Sequence, residues 1–125
     1  MNTDFQKIYG LISKHLPKNW ESVAIYFAIV DNMFDFKYYV NCGNGYVDCF
    51  NLKEYDDISY KMLAINLKKT LSLSRDTLPK EKQWSVFTMF VNCSGKFNVD
   101  YLYDNISDIF VPYRKEWEKT YINRT

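Results

Sequence analysis

Imidazole, the side chain most often used for proton transfer and zinc binding near neutral pH, occurs once in this sequence, at His15. One histidine leaves no pair for a metal site. It stands at the end of a periodic apolar run, where contact with a helix C-terminus or partial burial is its ordinary role. The three thiols, Cys42, Cys49 and Cys93, are scattered without C-x-x-C spacing, so they read as structural thiols rather than zinc ligands or a nucleophile. Their odd number favours reduced cysteines in a cytosol over a disulfide scaffold. Gly10, Gly43, Gly45 and Gly95 form no phosphate-cradling loop ahead of a helix, and no cofactor is expected.

Carboxylates are the remaining candidates for acid-base chemistry. Asp100 and Asp104 lie on one expected strand, with Phe97, Val99, Tyr101 and Tyr103 on one face and Asn98, Asp100, Leu102 and Asp104 on the other. Four residues along a strand separate the two acids by roughly 13 Å, too far to share a proton or a cation. Together with Asp108 and the run Glu54-Tyr55-Asp56-Asp57 they are either solvated faces and helix caps or an acidic, aromatic patch for a partner. Lys68-Lys69, Lys80, Lys82 and Arg114-Lys115 are spread over different elements, as solvated faces are. The run Phe36-Lys37-Tyr38-Tyr39 leaves open a sheet surface that stacks bases, as in single-stranded RNA readers.

These residues are positioned by elements that the apolar pattern places. Phe5, Ile8, Leu11, Ile12 and Leu16 recur at helical steps, with Thr3 as N-cap and Pro17 as the stop. The apolar run Ser22 to Val30 is a central strand covered on both faces. Strands over Phe34–Asn41 and Tyr46–Phe50 flank Cys42-Gly43-Asn44-Gly45, and strands over Gln83–Val91 and Lys96–Tyr103 flank Asn92-Cys93-Ser94-Gly95, each an antiparallel hairpin signal. Between the hairpins, Asp56 or Asp57 caps a helix through about Ser74, with Tyr60, Leu63, Ala64, Leu67 and Leu71 along one side and a loop over Arg75–Lys82 behind it. Phe110, Tyr113, Trp117 and Tyr121 form the stripe of a last helix. The expected fold is α+β, in the order α-β-β-β-α-β-β-α, with a mainly antiparallel sheet packed against helices.

The 125 residues suit one compact domain spanning 1–125. Sixteen basic against fifteen acidic residues give a net charge of +1, so no bulk field draws the chain to nucleic acid or an acidic membrane. The N-terminal MNTDFQKIYG has no signal-peptide pattern, and no apolar run approaches the roughly 20 residues that cross a bilayer, so a soluble cytoplasmic protein without membrane partners is expected. Aromatic content is high, with 11 Tyr, 9 Phe and 3 Trp, and surplus tyrosine suits a surface that meets a partner. The residues therefore outline a binding module without catalytic equipment.

Several stretches resemble the YezG family of bacterial immunity proteins. Leu16-Pro17-Lys18-Asn19-Trp20-Glu21-Ser22-Val23 is similar to the family's I-P-x-x-W-E-x-V, and Tyr26 to Asn32 to its Y-x-x-I-x-D-x strand. Trp84-Ser85-Val86-Phe87-Thr88 resembles W-T-S-x-x-F, Gly95 to Asp104 the G-K-F-x-x-D-Y-x-Y-x hairpin, and Trp117 to Tyr121 the W-x-x-x-Y helix. The likeness runs in order from Phe5 to Tyr121, although the chain is shorter ahead of Trp84 and less acidic than many such antitoxins.

The resemblance implies a cytoplasmic, non-enzymatic antitoxin of a polymorphic secreted toxin, such as those of contact-dependent inhibition. It would bind the cognate toxin C-terminal domain, often a nuclease, as a monomer in a 1:1 complex. A nuclease cleft is basic, so the expected contact residues are Asp100, Asp104, Asp108, Asp56 and Asp57, with Tyr55, Tyr101 and Tyr103 beside them. Trp20, Trp84 and Trp117 are expected to pack against the sheet.

Overall fold

Ser22–Val30, designated β1, has seven consecutive buried residues, Val23 to Ile29, and this sets the architecture. A strand buried on both faces needs neighbours on both edges and a layer above and below. Its edges pair antiparallel with β2 (Met33–Asn41) and β4 (Val86–Asn92). The outer positions go to β3 (Tyr46–Asp48) beside β2 and β5 (Phe97–Leu102) beside β4, giving the order β3-β2-β1-β4-β5. The helices are α1 (Thr3–Ser13), α2 (Asp57–Asp76) and α3 (Phe110–Tyr121). The chain order is α-β-β-β-α-β-β-α, the expected α+β fold. The structure is a computed structural model that describes the backbone of residues 3–122 and side chains from residue 5; the expected cap side chain of Thr3 falls outside them.

Strand alternation sorts the side chains into two layers. Val23, Ile25, Phe27 and Ile29 of β1 meet Ile8 and Ile12 of α1 and Leu63, Leu67 and Leu71 of α2. Ala24, Tyr26 and Ala28 face the other way, toward Phe110 and Trp117 of α3. The two alanines leave room for α3 to lie close, and the rings of Tyr26 and Trp117 stand 5.0 Å apart. Trp117 is anchored further by its indole N–H, which donates to Thr88 Oγ1 at 2.8 Å. Trp84 and Trp117 are buried and Trp20 is half-buried against the α1–α2 layer, all in packing roles.

Element ends differ from the sequence expectation for local reasons. α1 stops at Ser13 and the chain tightens through short turns, His15 N–H to Ile12 O and Leu16 N–H to Ser13 O, before reaching Pro17. β3 ends at Asp48 because the Asp48 carboxylate accepts from the Phe50 N–H and starts a 3-10 turn, Cys49–Asn51. α2 runs on to Asp76 because the Arg75 side chain folds back, donating from Nε to Trp84 O at 2.5 Å. β1 and β2 join through a two-residue turn in which Asp31 takes φ +53°, the left-handed conformation such hairpins require.

Removing the α3 anchor is the sharpest test of this packing. Trp117→Ala is expected to lower unfolding stability by about 3–5 kcal/mol, and Thr88→Val, which leaves the buried indole N–H unpaired, by about 1–3 kcal/mol. Because both remove the same bond, the double variant in urea melts should fall short of the sum.

Candidate protein-binding site

The expected contact residues fall into two groups. Tyr55, Asp56 and Asp57 stand at the start of α2, where Tyr55 packs edge-on against Phe50 at 5.4 Å and lies 5.9 Å from Tyr60. Tyr60 covers β2, stacked on Phe36 and donating its hydroxyl to Phe36 O at 2.5 Å. Asp100 and Tyr101 lie on β5, Tyr103 and Asp104 just past its end, and Asp108 in the following 3-10 turn, Ser107–Ile109. Because β2 and β5 are three strand spacings apart, roughly 14 Å, the two groups form separate surfaces.

The α2 group has duties within the chain. Asp56 is the N-cap, its carboxylate accepting from Ser59 N–H at 2.8 Å. Asp57 accepts from the Tyr55 hydroxyl at 2.9 Å and pairs with Lys61 at 3.1 Å. These bonds hold both carboxyls below their ordinary range, Asp56 chiefly through the Ser59 N–H and Asp57 chiefly through Tyr55. The Tyr55 phenol is pushed up to about 12 by desolvation and by the bond to Asp57.

The β5 group is less committed. All five of its residues are exposed. Tyr101 rests against Trp84 and Phe87 on the α1–α2 side of the sheet, and Tyr103 follows at 6.4 Å. Asp100 emerges on the opposite face, 3.5 Å from the Tyr121 hydroxyl. β4 takes the inward carbonyls of Leu102 and Lys96 through Ser85 and Asn92 N–H, so the backbone groups of Phe97 and Val99 point outward along the sheet edge. Charged side chains on such an edge discourage unwanted strand pairing and present a marked surface to a partner.

The base-stacking alternative fails on burial. Tyr38 lies under α2 and Tyr39 under α3, both almost wholly buried, so neither ring is open for stacking. Lys37 is also buried, its ammonium held by Asp48 and, at 3.6 Å, by Glu118 of α3. Glu118 accepts the Tyr39 hydroxyl at 2.5 Å, and Arg114 pairs with Asp35 at 2.6 Å. Tyrosines that composition suggested for the surface thus pack beneath the helices, Tyr38 on the α1–α2 side and Tyr39 fastening α3 to the sheet, while Tyr9, Tyr101 and Tyr103 are the exposed ones.

A feature unmarked by the sequence reading runs along α2. Opposite its buried residues Leu63, Ala64, Leu67 and Leu71, the helix exposes Ile58 (71%), Met62 (60%), Ile65 (51%) and Leu73 (73%). The signal was present as apolar residues at steps of four, three and eight on the solvent side of the helix. Beside it lies an open groove of about 500 Å³, lined by Phe34, Ile65, Lys68, Lys69, Ser72 and Leu73, with Asp76 also in its lining.

Among the described residues, no group of three His, Cys, Asp or Glu is placed to hold a metal ion, and no helix is long and apolar enough to cross a membrane. The Cys49 thiol is buried and pushed up to about 11 by desolvation, the reverse of an activated nucleophile.

The Asp56 cap generates a pH test. Its folded pKa is depressed, so its stabilising contribution is complete above the unfolded value of about 3.9 and drains away as pH falls through the folded value. Calorimetric melting over about pH 2 to 7 should show Asp56→Ala lowering Tm at neutral pH, with the difference from wild type shrinking in acid. Asp56→Asn, which keeps an acceptor, should stay near wild type at neutral pH.

The sequence comparisons agree with one another. The family model "Immunity protein YezG-like" matches residues 1–123. The chain is 27% identical over 109 residues to the protein named Immunity protein YezG from Bacillus spizizenii, an alignment that covers 82% of this chain and 68% of that protein. With the match extending through nearly all of its residues, the chain belongs to the YezG-like immunity protein family.

Proposed function

We propose that this chain is a stoichiometric, non-enzymatic inhibitor that covers the C-terminal domain of a polymorphic secreted toxin, a nuclease, in the cytoplasm of the producing cell. The observation that carries the reading is the family match across residues 1–123, which supports taking the whole α+β unit as the immunity module. The named relative is itself an immunity protein, so the coarse activity is toxin neutralisation and the partner is a protein.

The contact chemistry rests on charge. A nuclease binds phosphates with a basic cleft, and an acidic edge bearing aromatic anchors complements it. Asp100, Asp104 and Asp108 supply the charge, with Tyr101 and Tyr103 as rigid amphipathic side chains beside them. Tyr55, Asp56 and Asp57 form a separate acidic corner at the start of α2, outside the β5 contact. A standard interface of about 800 Å² per partner with a few well-seated anchors reaches a Kd near 1 nM, about 12 kcal/mol.

The test is co-expression of the chain with the toxin domain encoded beside its gene. Wild type should co-purify with that domain as a 1:1 complex and restore growth. Asp100→Lys with Asp104→Lys should weaken binding at least about tenfold, chiefly by slowing association, with melting unchanged. Full protection by that pair excludes the β5 edge as the contact.

A further inference from the structure

We infer that the outward face of α2 is a docking surface for an apolar patch rimmed by carboxylates on the toxin partner. This deepens the immunity reading and rests on it. The surface differs from the acidic β5 edge in both chemistry and location.

Ile58, Met62, Ile65 and Leu73 follow one another along the solvent pole of the helix for about four turns. α2 is already fixed to the core by the residues on its other side, and none of the four stripe residues belongs to the buried core, so large apolar surface is left in water. Aligned apolar exposure of this kind marks an interface, unlike singly scattered apolar residues. Methionine at its centre provides an adaptable contact. The groove beside the stripe deepens the surface, with Phe34 as its floor and the Lys68 ammonium 5.0 Å from that ring.

Charge decides the occupant. Lys61 and Lys68 flank the stripe on one side and Lys69 stands within it between Ile65 and Leu73; Lys61 is paired with Asp57, while Lys68 and Lys69 have no ion-pair partner among the described residues. An antiparallel pairing of α2 with α2 of a second copy, centred on the stripe, would bring Lys68 and Lys69 of each helix beside Lys61 of the other. That cluster of like charges opposes a homodimer. A partner with acidic groups around an apolar centre meets the same lysines favourably.

One partner can reach both this face and the acidic edge. Arg75 near the end of α2, Asp31 of the β1–β2 turn, and Tyr103 and Asp104 past β5 line a single concavity of about 250 Å³. The stripe, ending at Leu73, therefore runs toward the acidic group at one end of the molecule. A toxin lying across that end presents a basic region to the aspartates and an apolar, acidic region to α2. Because a phosphate-binding cleft is basic, the second region lies outside it, and α2 then grips the toxin away from its catalytic groups.

The experiment measures binding of the full chain to the toxin domain it neutralises. Met62→Glu with Ile65→Glu should weaken the complex about 30-fold or more, with circular dichroism and melting unchanged because both side chains face solvent. Lys68→Glu with Lys69→Glu should weaken it about tenfold, with the loss shrinking at high salt. Wild-type affinity in both pairs overturns the inference, leaving the immunity reading intact. If the wild-type chain binds no toxin domain, the immunity reading falls first and this inference with it. Dimerisation of the chain alone that Met62→Glu abolishes, or Met62-dependent sedimentation with phosphatidylglycerol vesicles, would assign the face to a second copy or a membrane and overturn the inference.

Discussion

The two-sided burial of β1 is the constraint on which the rest of the structure depends. Its seven buried residues cannot be served by one layer of helices, so α1 and α2 close one face and α3 the other. The same strand fixes the sheet edges, because β2 and β4 occupy its flanks and leave β3 and β5 outermost. What the molecule can show to a partner follows from that arrangement: the solvent pole of α2, the outer edge of β5 and the exposed side of α3.

α3 is held by more than apolar contact. Lys37, Asp48, Glu118 and Tyr39 form one connected set of charges and hydroxyls, and Arg114 with Asp35 forms a second pair beside it. Buried ions of this kind add little net stability over apolar packing, but they penalise any other seating of the helix, since a misplaced α3 leaves a charge stranded. Both side chains of that pair are half-buried; burial pushes the Asp35 carboxyl up while Arg114 opposes it. A surface meant to fit another protein benefits from such a fixed frame, because little ordering remains to be done on binding.

Much of this was legible in the residues. The apolar run in β1, the Gly-containing hairpins and the capped periodicity of α2 each state a local preference that the tertiary structure also satisfies. Less legible was which side of a tyrosine-rich strand meets solvent. Tyr38 and Tyr39 are adjacent in β2 and point to opposite faces, and only the presence of both helical layers shows that each is covered. Acidic character alone joins residues that the fold separates: Asp100, Asp104 and Asp108 lie on and after β5, whereas Asp56 and Asp57 start α2 over β2. The α2 stripe is harder to see in the residues because it is a second, sparser apolar series half a turn from the buried one.

The proposed function is one of shape and charge offered to another protein, with the chain acting as a stoichiometric cover. Titrating purified chain into a fixed amount of its purified toxin domain, with toxin activity as the readout, tests that directly. Activity should fall linearly and reach its floor at one equivalent, and the inhibited toxin should elute together with the chain. Complete inhibition at a small fraction of an equivalent, with the toxin left unbound and covalently altered, would contradict the account.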